Sequence, residues 1–256
     1  MFRKILAFVL ALSVLCCLGG AAFAQESTRH DELAELEKRA ESGEAEAMCA
    51  LGMEILQMQK ASLEDWDEDC VKAWEWFKKS AEQEFPEAYN WLGYMCESGC
   101  SPETDVSTDA GYYRTLEMAM EYYRKGTELG NAECMTALGG MLGYHPSVTQ
   151  DEAAAKSLFE SAAALGEPNA IASLGLMYHY GSSVTPQDYG KAVELYEKAG
   201  DMGLISVLET LADMYYMGEG VPQDMEKYTE YYERARTLKG EELERERQAR
   251  IYFRGQ

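Results

Sequence analysis

Positive charge is scarce in this chain. Its 23 Lys and Arg stand against 45 Asp and Glu, a formal net charge of −22. A surface that tracks phosphates needs the opposite sign, which excludes nucleic acid as a partner class and disfavours anionic lipid. Proline is also scarce, at 6 residues, while 46% of the chain is hydrophobic, a globular rather than a low-complexity composition. Histidine occurs only as His30, His145 and His179. No Gly-x-Ser-x-Gly, His-Glu-x-x-His or phosphate-loop motif is present, so no catalytic residue, metal site or cofactor is expected. Beyond residue 24 no second long apolar run occurs, so no later membrane span is expected.

The long apolar run that does exist sits at the amino terminus. Met1-Phe2-Arg3-Lys4 is a basic start, Ile5 to Leu18 carries no charge, and Ala22-Phe23-Ala24 precedes Gln25. This order is that of a secretory signal peptide, residues 1–24, cut after Ala24. Uncut, the run just spans a bilayer, and Cys16 or Cys17 offers a lipoprotein anchor. The small-residue end favours cleavage over the first. The Leu15 and Cys16 that stand where a small residue belongs argue against the second. The expected location is periplasmic or secreted.

Internal periodicity organises the rest. Leu51-Gly52, Leu92-Gly93, Leu138-Gly139 and Leu174-Gly175 recur, with Leu211-Ala212 as a fifth copy, at steps of 41, 46, 36 and 37 residues. About twenty residues after each lies a second pattern. It reads Ala73-x-x-Trp76-Phe77-x-x-Ser80, Ala119-x-x-Tyr122-Tyr123, Ala155-x-x-Leu158-Phe159, Ala192-x-x-Leu195-Tyr196 and Tyr228-x-x-Tyr231-Tyr232. Spacings of three and four put these residues on one helical face, so each unit is a helix pair, A then B. The small residue on A admits a neighbour closely, and the ring on B fills the space. Gly218 to Asp224, Gly181 to Asp188 and Gly143 to Asp151 read as A–B turns, with a glycine ending A and an aspartate capping B. Residues 57–70 and 97–114 are longer connections.

Taken together, the period, "GNAECMTALG", "LGLMYHYG", "GEGVPQD" and "KAVELYEKAG" resemble Sel1-like repeats, relatives of tetratricopeptide repeats. The resemblance implies an all-α fold: a right-handed α-solenoid of about five helix pairs over residues 40–236. A capping helix precedes it at 25–39 and another follows at 237–256. It also implies an adaptor for other proteins rather than an enzyme. An exported factor acting on another cell is one alternative. An envelope enzyme or cell-wall ligand binder is another, although the serine–lysine motif of β-lactam hydrolases is absent.

Five cysteines remain after the signal segment. Cys70, Cys96 and Cys100 fall at one pole of adjacent repeats, whereas Cys49 and Cys134 fall toward the other, two repeats apart. A disulfide joining Cys70 to Cys96 or Cys100 is therefore expected, with Cys49 and Cys134 buried as thiols.

The A helices line the inner surface of such arrays. Counting from each Gly, positions −6, −3, +1, +4 and +5 face inward. They supply the candidate partner-binding residues Glu87, Asn90, Tyr94, Glu97, Glu133, Thr136, Tyr144, His179, Tyr180, Glu209, Asp213 and Tyr216. Six of the twenty-five inward positions are acidic, four are Tyr and none is Lys or Arg, where the chain average would place about two. Carboxylates with phenol rings suit a basic or aromatic protein segment.

Overall fold

A computed structural model describes residues 32–61, 66–103 and 107–254, and these are helices and turns without a strand. The signal segment, Cys16, Cys17 and His30 lie outside the described residues. Helix α1 covers residues 32–41. The pairs that follow are α2 (Ala45–Ala61) with α3 (Trp66–Ala81), α4 (Pro86–Glu97) with α5 (Asp109–Glu128), and α6 (Ala132–Tyr144) with α7 (Glu152–Ala164). Helices α8 (Pro168–Tyr180) and α9 (Tyr189–Asp201) form the fourth pair, and α10 (Ile205–Met217) and α11 (Met225–Arg254) the fifth. Each A helix packs most extensively on its own B helix, and each B helix packs less extensively on the next A helix.

The glycine on each A helix exists because a ring lies against it. A Cβ added to Gly52 would stand 2.7 Å from the Phe77 ring, and one on Gly93 would stand 2.5 Å from Tyr123. At Gly139 it would meet Phe159 at 2.8 Å, and at Gly175 it would meet Tyr196 at 2.7 Å. Contacts this short are overlaps, so any side chain there displaces a buried ring. Small residues on B complete the seam: Ala73, Ala119, Ala155 and Ala192 are fully buried.

The turns form as their residues direct. Asp151, Asp188 and Asp224 accept from backbone N–H groups of α7, α9 and α11, satisfying helix-start donors. The amide of each aspartate donates back to the carbonyl of Leu142, Tyr178 or Tyr215, three residues after the small residue on A. Gly181 and Gly218 take the positive φ that ends α8 and α10. Gly143 does not: it lies inside α6, which ends at His145 in an extended conformation.

Three further expectations are corrected. Residues 57–70 are mostly helical, because α2 runs on to Ala61 and α3 begins at Trp66. Residues 237–254 form no separate cap but continue α11 without a break. In the last pair the buried ring is Tyr231, stacked on Tyr215 at 5.8 Å, while Tyr232 is 47% exposed. Ala212 already carries a methyl group where the other A helices leave room for a ring.

Candidate functional site

The A helices lie side by side, α4 against α6 and α6 against α8, and polar bonds join them across the face. Asn90 Nδ2 on α4 donates to Glu133 Oε2 on α6 at 2.7 Å. Thr136 Oγ1 on α6 donates to Glu167 Oε2 at 2.8 Å. Glu167 is the N-cap of α8, and it also accepts from the backbone amides of Asn169 and Ala170 and from Asn169 Nδ2. Sequence reading missed this residue, although Glu167-Pro168 at a helix start is the signal for it. With these donors, Glu167 is a satisfied buried carboxylate.

Most of the sequence-predicted residues face solvent. Glu87, Tyr94, Glu97, Glu133, Tyr144, Tyr180, Glu209, Asp213 and Tyr216 are exposed, and Asn90 and Thr136 are half-buried. The tyrosines are anchored by their edges and faces. Tyr94 packs edge-on against Trp91, Tyr144 stacks on Phe159, and Tyr216 tilts against Tyr228. Tyr180 is 70% exposed. Three of these carboxylates already have partners: Glu133 accepts from Asn90, Glu97 accepts from Tyr123 Oη at 3.0 Å, and Glu209 pairs with Lys239 of α11 at 3.2 Å. Partial burial, with Glu167 and Glu87 nearby, holds Glu133 above the usual carboxylate range.

His179 does not belong to the exposed row. Its side chain is packed among the rings of Tyr180, Tyr189 and Tyr196, with centroids 4.6, 5.4 and 6.0 Å away. Nε2 lies 3.5 Å from Glu219 Oε1. Glu219 comes from the A–B turn of the next pair, where Gly220 has φ +70° and would drive a Cβ into Tyr189. That turn seals His179, and sequence spacing within one repeat does not reveal it.

Cys49, Cys70, Cys96 and Cys134 are buried, and Cys100 is half-buried. All five are thiols in the structure, so the expected bond from Cys70 to Cys96 or Cys100 is not formed there. Burial pushes the Cys49, Cys96 and Cys134 thiols up to about 12, which suppresses the reactive thiolate. Among the described residues no three His, Cys, Asp or Glu side chains converge as metal ligands do. No helix among them is long and apolar enough to cross a membrane.

Comparison with known families matches the Sel1 repeat over residues 45–85, 86–105, 116–131, 132–167, 168–204 and 211–240. The chain belongs to the Sel1 repeat family. The second and third matched segments are the halves of one helix pair, α4 and α5, divided by the longer connection. Comparison with curated proteins finds no match. Among solved structures, the chain is similar to c5321, described as a protective antigen present in uropathogenic Escherichia coli strains. That match has 28% identity, a TM-score of 0.60, and covers 80% of this chain and 40% of that one. A Sel1 repeat protein from Oxalobacter formigenes matches at 24% identity and a TM-score of 0.65, covering 79% and 75% of the two chains. The immunity protein PA5088 from Pseudomonas aeruginosa matches at 18% identity and a TM-score of 0.57, covering 81% and 73%. Sel1 repeat proteins generally mediate protein–protein interaction, and the scaffold is typically non-catalytic.

Proposed function

We propose that this Sel1 repeat chain is exported by its amino-terminal segment and acts as a non-catalytic scaffold in the cell envelope. Its A-helix face binds a basic or aromatic segment of another protein. One observation carries this reading: exposed Glu87, Glu97, Glu133, Glu209 and Asp213 alternate along the face with exposed Tyr94, Tyr144, Tyr180 and Tyr216. Arginine and lysine pair with the carboxylates and lie over the rings, while apolar side chains take up the ring faces. Asn90 and Thr136 hold the row in register, and His179 supports it from below. All five cysteines lie in or against one apolar cluster, and export to an oxidising compartment would join Cys70 to Cys96 or Cys100, the three that share a pole in the sequence pattern. Non-reducing peptide mapping of the exported protein tests that bond.

The test of the binding reading is capture of partners from envelope extract by the native chain and by Glu87→Lys/Glu133→Lys/Asp213→Lys. Loss of a partner from the variant, together with weakening by salt, supports the face. Equal capture by both proteins refutes it. A second reading, a factor released to act on another cell through the same face, draws on the likeness to the protective antigen. Recovery from the medium rather than the envelope distinguishes it.

A further inference from the structure

Helix α6, the middle A helix, is bare where its neighbours carry side chains. One place after the packing glycine, α4 has Tyr94 and α8 has Leu176, both exposed, whereas α6 has Gly140. A glycine inside a helix is destabilising relative to alanine, so its presence needs a reason. The adjacent glycines have one. Gly139 makes room for the Phe159 ring, and a Cβ on Gly143 would lie 3.2 Å from that of Ala155. A Cβ on Gly140 would meet nothing within 4 Å, and its φ is not positive. Gly240 is equally open, but it stands on a B helix. Packing of the array therefore does not call for Gly140.

The notch that Gly140 leaves has walls. Helices α4 and α8 flank α6, so in the repeat register Tyr94 stands on one side and Leu176 on the other. Tyr144 follows Gly140 by four residues, one turn along the same stripe, and is exposed. Tyr94 and Tyr144 are each braced by a second ring, Trp91 and Phe159. Carboxylates stand nearby in the same register: exposed Glu97 follows Tyr94 by three residues on α4, and Glu133 precedes Gly140 by two turns on α6. Each is held in place at one oxygen, Glu97 by Tyr123 and Glu133 by Asn90. No Lys or Arg occupies an inward position to compete for them.

We propose that the notch at Gly140 seats one arginine side chain of the partner, at the middle of the A-helix face. The inference rests on the binding reading above and names the residue that anchors it. An arginine stem is long enough to lie over bare helix, its flat guanidinium stacks on phenol rings, and its fork of donors matches a carboxylate. The compact, strongly hydrated ammonium of lysine stacks less well, and an aromatic side chain leaves the carboxylates unanswered.

The test fills the notch. Gly140→Leu and Gly140→Ala are made in the full chain and compared with the native protein by thermal denaturation and by titration at low salt. The probes are four fluorescein-labelled peptides, Lys-Ser-Lys-X-Lys-Ser-Lys, with X as Arg, citrulline, Lys or Phe. The native chain is expected to bind the Arg peptide about tenfold more tightly than the other three. Gly140→Leu is expected to lose that preference and bind all four alike, while the Tm of Gly140→Ala rises. A lower Tm in Gly140→Ala would mean that the glycine serves folding, which overturns the premise. Equal affinity of the native chain for all four peptides, or an Arg preference that survives Gly140→Leu, refutes the notch. Loss of binding in Glu87→Lys/Glu133→Lys/Asp213→Lys would then leave the face standing. Tighter binding of the Phe peptide, lost in Gly140→Leu, makes the notch an aromatic pocket and overturns the arginine assignment. If the native chain binds none of the peptides, both readings fall.

Discussion

The second and fourth helix pairs solve one packing problem with different chemistry. In both, a glycine on the A helix receives a tyrosine ring from the B helix: Gly93 takes Tyr123 and Gly175 takes Tyr196. Four residues after each glycine the pairs diverge. Glu97 accepts the Tyr123 hydroxyl at 3.0 Å, so that buried phenol is satisfied. His179 stands in the same place beside Tyr196 but turns Nε2 toward Glu219, and neither His179 Nδ1 nor Tyr196 Oη has a hydrogen-bond partner. The first and third pairs put a phenylalanine in the slot and need no acceptor; Leu56 and Gly143 occupy the position there. The glycine fixes where the ring goes, and the residue four places on answers whatever polar atom the ring brings. The fourth pair leaves that answer incomplete because its histidine serves the neighbouring turn.

The comparison can be broken most forcefully at the shared slot. Gly93→Val and Gly175→Val are each expected to destabilise by about 3 kcal/mol through displacement of a buried ring, measured by thermal or urea denaturation. Unequal losses would mean that the two slots are not equivalent. Next in size is a contrast of sign. Tyr123→Phe removes a made hydrogen bond and costs about 1 kcal/mol, whereas Tyr196→Phe removes an unpartnered buried hydroxyl and is neutral or stabilising by up to about 1 kcal/mol. A third variant sharpens the point. His179→Gln offers Tyr196 an amide oxygen as acceptor, and the expected gain of about 0.5–1 kcal/mol disappears in a Tyr196→Phe background, as a double-mutant cycle would show.

The smallest effect concerns Glu133. Its pKa is raised on folding, so between the ordinary carboxylate value and the folded one the native state binds more protons than the unfolded state does. Stability therefore falls as pH rises through that window. Glu133→Gln is expected to raise Tm slightly at neutral pH, with the difference vanishing once the pH drops below the window. An unchanged difference at low pH would assign the effect to packing instead.

Much of this was legible in the sequence because it is local. Helix periodicity gave the pairs, turn residues gave the caps at Asp151, Asp188 and Asp224, and counting from the glycines found the exposed acid and tyrosine row. What escaped depends on neighbours that no spacing encodes. His179 is buried by Glu219 and Gly220 from the following pair. Tyr231 replaces Tyr232 as the buried ring because Ala212 leaves no slot. The continuation of α11 reads equally well in sequence as a detached cap. Glu167 was passed over because a glutamate before a proline looks like loop surface until its four donors are in place.

The alanine at 212 changes what holds the last pair together. Four seats receive a ring from their own B helix, and the fifth is filled by a single carbon atom, so its two helices are clasped by Tyr231 lying flat on Tyr215 instead. Ala212→Gly is the smallest edit that would make the last pair resemble the other four.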